Sequence, residues 1–257
     1  MKERLDQRVL GAVRWVDHLT GRAIRRALDV RSEQARFRRN AGDLAVIWSA
    51  ARFERYTATV DPPLPGPEPA LPAPPVRITG TVSDPLDEYL PRAFSLDLPR
   101  NASAAQPRPA DSVFRPVDVA LLPGPAARLN PGWAELRLTL RRAADNALFP
   151  NVLVRARGDL GDGAGVRLLS VGMSDTRGEA LVVLTGLPLY QPDPGTGRIV
   201  PTELDLSLEL VPPPAGRTVV DWTEQLAAAA TPANTHASVH LDTRRRLSLE
   251  FTVSAQP

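Results

Sequence analysis

At 257 residues with 43% apolar content, the chain is long enough for one large β domain or two ordinary ones and has the material to fill their cores. Its 27 prolines are about twice the usual share, which argues for many strand ends and extended connections and against long helices. Cysteine is absent, so there is no disulfide framework, thiolate nucleophile or Cys-based metal site, and 31 basic against 29 acidic groups leave a net charge of +2, too small to imply a nucleic-acid partner.

Val9 to Val16 alternates as a strand, and Asp17-His18-Leu19-Thr20-Gly21-Arg22 follows as a turn whose Asp and Thr side chains can bond local backbone. A second strand at Ala27 to Val30 is expected to return beside the first. Leu44 to Trp48, entered through Asn40-Ala41-Gly42-Asp43, and Tyr56 to Val60 read as short strands with aromatic and β-branched residues. The arginines of Arg36-Phe37-Arg38-Arg39 read as solvated turn charge, as do those at Arg25-Arg26, Arg141-Arg142 and Arg244-Arg245-Arg246. Pro62 to Pro75 is a proline run expected to form a stiff, polyproline-like loop. Val76 to Val82 and Ala93 to Leu98 resume as strands; the second alternates Phe94, Leu96 and Leu98 against Ser95 and Asp97. Val113 to Leu122 closes the first half, and residues 124–132, rich in Pro and Gly, are the candidate linker.

The second half opens with Trp133 to Leu140, in which Leu136, Leu138 and Leu140 face one way. Strands follow at Val152 to Ala156, Leu168 to Met173, Ala180 to Leu184 and Leu204 to Leu210. Ser174-Asp175-Thr176-Arg177-Gly178-Glu179 between two of them reads as a hairpin turn, with Gly178 free to take positive φ. One helix is expected, over Val220 to Ala230, with Asp221 near its start and Pro232 past its end. Ala237 to Leu241 and Leu247 to Val253 are expected to pair across Asp242-Thr243-Arg244-Arg245. About seven strands per half predict an all-β chain of two tandem antiparallel β-sandwich domains (prealbumin/Ig-like), with long Pro-rich loops and at most one short helix, residues 1–123 and 133–257. Val13 to Ala50 and Leu136 to Gly186 share one order of strands and turns, which reads as a diverged internal repeat.

The chemistry-bearing residues are sparse. His236 and His240 share a strand face with Ser238 between them and Asp242 beyond, which makes His236, His240 and Asp242 the candidate metal ligands, against the ordinary reading of an exposed strand face. No H-E-x-x-H, G-x-S-x-G or phosphate-cradling motif is present. Asp159, Asp162 and their glycines lack the ligand order of a calcium loop. Trp15, Trp48, Trp133 and Trp222 are spread one per region and are expected in cores. No catalytic residue and no cofactor is expected, and the chain is read as non-enzymatic.

Val16-Asp17-His18-Leu19-Thr20-Gly21-Arg22 resembles the opening of carboxypeptidase-regulatory-like, transthyretin-type sandwich modules, where a strand ends in an Asp-x-x-Thr-Gly turn. Ser174-Asp175-Thr176-Arg177-Gly178-Glu179-Ala180 resembles the later hairpin of that family. The resemblance implies an accessory fold without activity of its own. The layout as a whole is similar to accessory proteins of phage tails and contractile injection systems, which implies a structural or adaptor subunit whose partners are other protein subunits of a large particle. A surface or glycan-binding sandwich module is the alternative. The charged N-terminus and the lack of a long apolar run predict a cytoplasmic chain without membrane insertion, or one that leaves the cell within a particle.

Overall fold

The computed structural model describes residues 9–53, 75–101, 109–188, 190–192, 195–228, 235–242 and 246–254. The expected strand at 56–60 and nearly all of the proline run lie outside the described residues. Among the described residues sixteen strands and one short helix make up the regular structure, so the protein is nearly all β as the sequence predicts. The chain divides into two compact units, one of residues 1–85 and 93–121, the other of residues 86–92 and 122–257.

In the first unit, β1 (Gly11–Asp17) lies between β4 (Ala45–Ala50), antiparallel, and β7 (Val117–Leu121), parallel; β3 (Ala35–Arg39) extends this sheet beyond β4. A second sheet runs β2 (Asp29–Arg31), β5 (Val76–Ser83) and β6 (Arg92–Leu98). Alternation puts Val13, Trp15, Ile47, Ile78, Phe94 and Leu98 in the core, where Phe94 meets Trp15 and Phe37 edge-on at 5.3 and 5.9 Å between centroids. Two sequence expectations are corrected here. The strand after the Asp17 turn does not return beside β1: β2 pairs with β5, from Asp29 opposite Ser83, and only the isolated Val16–Ala23 bridge touches β1. The Arg36–Arg39 cluster is a strand, because Asn40 closes a tight turn that lays it against β4: its side-chain Oδ1 accepts from the Gly42 and Leu44 amides.

The second unit stacks the sheet β10 (Arg167–Met173), β9 (Leu153–Gly158), β14 (Glu203–Val211), β15 (Thr235–Asp242) over the sheet β11 (Glu179–Leu184), β8 (Ala134–Arg142), β16 (Leu247–Val253). A separate two-stranded ribbon joins β12 (Tyr190–Pro192) and β13 (Ile199–Pro201). The single core between the sheets takes Leu136, Leu138 and Leu140 from β8, Val182 and Leu184 from β11, and Leu204, Leu206, Leu208 and Leu210 from β14. Each such leucine contributes about 1.5–3 kcal/mol on burial. The last two strands do not pair with each other. β15 runs antiparallel to β14, whereas β16 crosses to the other sheet and runs parallel to β8, Leu247 opposite Leu136 through Val253 opposite Arg142. The expected hairpin around Gly178 is likewise a corner between sheets: β10 pairs with β9 and β11 with β8, with the isolated Ser174–Ala180 bridge between them. The turn itself forms as expected, with Gly178 at φ 69°.

The internal repeat holds bond by bond. At the end of β1, Asp17 N–H donates to Arg22 O, Gly21 N–H to Asp17 O and Ile24 N–H to Trp15 O. At the end of β8 the same three bonds recur as Arg142 to Ala147, Asn146 to Arg142 and Phe149 to Leu140. Gly21 and Asn146 both hold positive φ, 66° and 57°. Asn40 in one unit and Asp175 in the other cap their turns alike, Asp175 Oδ1 accepting from Arg177 and Glu179 amides at 2.8 and 3.0 Å. In both units the first strand pairs parallel with the last, β1 with β7 and β8 with β16.

Candidate functional site: the polar face and open edge of the second unit

Along β14 and β15 one face is core and the other is a shelf of paired charges, because period-two alternation sends Leu204, Leu206, Leu208, Val239 and Leu241 inward and Glu203, Asp205, Ser207, Ser238 and His240 outward. Register sets His240 opposite Asp205, Ser238 opposite Ser207, Asp242 opposite Glu203 and His236 opposite Glu209. The His240 ring spans two carboxylates, Nδ1 lying 2.8 Å from Asp205 Oδ1 and Nε2 3.5 Å from Glu203 Oε2. The hydrogen bond to Asp205, then the charges of Asp205 and Glu203, raise the His240 pKa above its ordinary value. At the other end of the shelf Glu209 is held between Arg155 and Arg157, the latter at 3.5 Å. Between these pairs the surface dips into an open concavity of about 730 Å³ bordered by Arg157, Asp159, Glu203, Asp205, Ser238 and His240.

Of the candidate metal ligands, the structure puts His240 and Asp242 two positions apart on β15, and His236 is placed by register alone. The carboxylates nearest His240 approach opposite ring nitrogens, so they bind the ring and not an ion shared with it. Among the described residues no group of three or more His, Asp or Glu side chains is placed to hold a metal ion. Asp162, in the loop weighed as a calcium site, instead forms a two-bond pair with Arg167 at 2.9 and 2.7 Å, and that hydrogen bonding lowers its pKa to about 2.

Helix α1 (Trp222–Ala228) starts directly after Asp221, the residue expected near its start, and residues 229 and 230 of the expected helix lie outside the described residues. Asp221 Oδ1 accepts from the Thr223 amide and hydroxyl, and Arg92 reaches the same carboxylate at 2.8 Å while its guanidinium lies 5.2 Å from the Trp222 ring centre. Burial pushes the Arg92 pKa down against the opposing pull of Asp221. This cluster is a buried lock. Trp222, expected in a core, is 4% exposed within it.

Two aromatics are exposed, Trp48 against its expected core placement and Tyr190. Trp48 is 50% exposed, because the ladder steps from Arg36–Ser49 to Phe37–Ile47 and leaves it as the extra residue of a bulge, contrary to the core placement expected of it. In the ribbon, Tyr190 and Ile199 are 54% and 69% exposed.

β15 ends one sheet and β16 the other, with β10 and β11 at their opposite edges. The core-facing residues of β8 are buried throughout, but on β16 Leu247, Leu249 and Phe251 are only partly covered, with Val253 alone fully buried. Among the described residues no strand pairs with the outer side of β16.

No protein-family model matches the chain, and no curated protein matches it. Among solved structures it is similar to the Bacillus anthracis TIE protein at 9% identity and a TM-score of 0.27, covering 96% of this chain and 34% of that one. It is similar to a Streptococcal ancillary pilin at 11% identity and a TM-score of 0.27, covering 86% and 50%. The shaft pilin spaA from Lactobacillus rhamnosus GG matches at 13% identity and a TM-score of 0.26, covering 70% and 65%. The chain spans from about a third to a half of the length of the first two. Several of these similar structures are pilins, which runs against the cytoplasmic location expected from the sequence. Among the described residues no helix is long and apolar enough to cross a membrane.

Proposed function

We propose that this chain is a non-enzymatic structural or adaptor subunit of a larger protein assembly, docking through the edges and loops of its β-sandwiches. The carrying observation is β16: a seven-residue edge strand in unbroken register with β8, with a half-covered apolar face. An edge of that kind offers unpaired backbone groups to an incoming strand and apolar surface for its side chains. The ion pairs of the shelf satisfy one another, as suits a surface that bears contacts. In this reading two sandwich domains, 1–123 and 133–257, flank the 124–132 segment. The resemblance of the two Asp turns to carboxypeptidase-regulatory-like modules supports an accessory role. The likeness in layout to phage-tail and contractile-injection accessory proteins supports a particle of that type as the assembly.

The test is recovery of the tagged chain from its own host, with the bound proteins identified by mass spectrometry and imaged by negative-stain electron microscopy. Sheath, tube or baseplate-like proteins in stoichiometric amount are expected. Recovery of the chain alone refutes the assignment. The exposed Trp48 and Tyr190 favour a second reading, a glycan- or surface-binding module, since an aromatic face is a common platform for sugars. Saccharide binding lost in Trp48→Ala is the result that would prefer it.

A further inference from the structure

We propose that β16 is a pairing edge through which two copies of this chain associate about a two-fold axis passing Leu249. The inference rests on the structural-subunit reading and names the occupant of one edge.

The internal repeat supplies the first argument. β7 is the first unit's counterpart of β16, but there the connection from the preceding strand runs from 99 to 116 and packs Ser112 and Val113 into the core. In the second unit the same connection is residues 243–246, and β16 keeps its core face half covered. β7 and β16 each end their sheet, but Val119 and Leu121 of β7 are buried whereas Leu247, Leu249 and Phe251 of β16 are only partly so.

Protection is the second argument. Edge strands are ordinarily blunted by proline, lysine, a bulge or an inward charge. The sequence Leu247-Ser248-Leu249-Glu250-Phe251-Thr252-Val253 contains none of these, and its register against β8 is unbroken. Its sole charge, Glu250, is engaged by Arg141 at 2.5 Å.

Register is the third argument, and it selects a second copy. Ala143 N–H donates to Val253 O, so in this parallel pair Val253, Phe251, Leu249 and Leu247 turn their amides and carbonyls toward β8. Ser248, Glu250 and Thr252 turn theirs to the open side. An antiparallel copy centred on Leu249 sets Leu249 opposite Leu249 and Leu247 opposite Phe251 on the core face. On the outer face Ser248 lies opposite Glu250, with Arg246 of one copy diagonal to Glu250 of the other. Centring on Glu250 instead would set the two carboxylates directly opposite one another, an unfavourable pair. The strand is self-complementary in one register.

The chain has no cysteine, so single cysteines trap neighbours without background. With the axis at Leu249, the non-hydrogen-bonded Leu249 pair has Cα atoms about 4.5 Å apart, within the range a disulfide spans. Leu249→Cys is expected to dimerise under mild oxidation, Ser248→Cys and Glu250→Cys each to remain uncrosslinked, and a mixture of those two to give the heterodimer. Light scattering of the unmodified full chain at about 100 µM, far above the dissociation range of a micromolar dimer, is expected to give twice 27.8 kDa. Glu250→Pro removes an outward N–H while leaving the β8 ladder intact, and is expected to return the mass to that of one chain with an unchanged circular dichroism spectrum. A single-chain mass for the unmodified protein with no trapping overturns the inference, and self-trapping of Glu250→Cys overturns the register. If the unmodified chain is monomeric and Glu250→Pro abolishes recovery of host partners, a different chain occupies the edge: the two-copy inference falls and the structural-subunit reading stands. If it is monomeric and no host partner is recovered with either form, both fall.

Discussion

Gly178→Ala is the sharpest test of the turn chemistry shared by the two units. Gly178 holds φ 69°, and a Cβ added there would lie 2.6 Å from Leu140 O and 3.0 Å from Phe149 N, both backbone atoms fixed in the β8 turn. Gly186 in the same unit holds φ 75° with nothing within 4 Å of the added Cβ. Left-handed backbone costs an L-residue about 1–2 kcal/mol, and alanine recovers about 0.4–1 kcal/mol by stiffening the unfolded chain. Gly186→Ala is therefore expected to cost about 1 kcal/mol. Gly178→Ala adds a collision with backbone that cannot swing away, about 1–3 kcal/mol more, for a total of about 2–4 kcal/mol. Urea unfolding followed by tryptophan fluorescence measures both, with the midpoint shift interpreted only where the slope is unchanged. Equal losses for the two variants, or a Gly178→Ala loss below about 1 kcal/mol, would refute the proposition that the turn packs Gly178 against the β8 backbone.

Arg92→Met is expected to destabilise the second unit by about 3–5 kcal/mol, since it strands Asp221 in a buried site; urea unfolding of Arg92→Met and of Arg92→Met/Asp221→Asn measures it, and the double variant should recover part of the loss. For His240, whose pKa is raised, any stability it contributes is fully present below the unfolded-state pKa near 6.5 and is lost as pH rises through the folded value. A proton NMR titration should place its midpoint above 6.5, and Asp205→Asn should lower that midpoint more than Glu203→Gln does. Gly172→Ala puts a Cβ against the Leu181 backbone and 2.8 Å from a Val182 methyl, and is expected to cost about 1–3 kcal/mol by overpacking, measured in the same urea assay.

Alternation made the strands legible because it reports which face each residue takes. Phe94, Leu96 and Leu98, and Leu136, Leu138 and Leu140, all sit in cores where the pattern put them. Partners were not legible, because alternation is identical whether a strand pairs with its neighbour in sequence or with one a hundred residues away. That is why Leu247 to Val253 was assigned to β15 and lies beside β8. Arg36 to Arg39 misled for a different reason: one side of a sheet is solvent, and an edge strand with a polar outer face looks like a loop. Trp48 stood outside its expected core because a bulge re-aims one residue without leaving a mark in the sequence. The candidate ligands His240 and Asp242 do share an outward face, as spacing required, but the carboxylates that engage His240 come from β14 and are invisible in its own segment.

The comparison between units also explains why one strand changes sheets. Aligning the Asn40 and Asp175 turns matches Arg39–Ala45 with Ser174–Ala180, so both units begin the same antiparallel pairing. In the first unit β3 goes on to Ala35 opposite Ala50; in the second β10 leaves β11 after that bridge and takes six pairs with β9. Two differences favour the departure. β2 offers three residues as a partner whereas β9 offers six, so the alternative ladder is worth having in the second unit alone. The position matching Phe37 is Gly172, and only a residue without a side chain can cross the Leu181 carbonyl so closely. Ser170, which matches Ala35, then bonds through its hydroxyl to Val183 O at 2.6 Å and supplies that carbonyl of β11 with a donor from a strand that has left its sheet. With β10 drawn toward β9, the second unit becomes a four-over-three sandwich in which, among the described residues, β11 ends its sheet where β3 continues beyond β4 in the first unit.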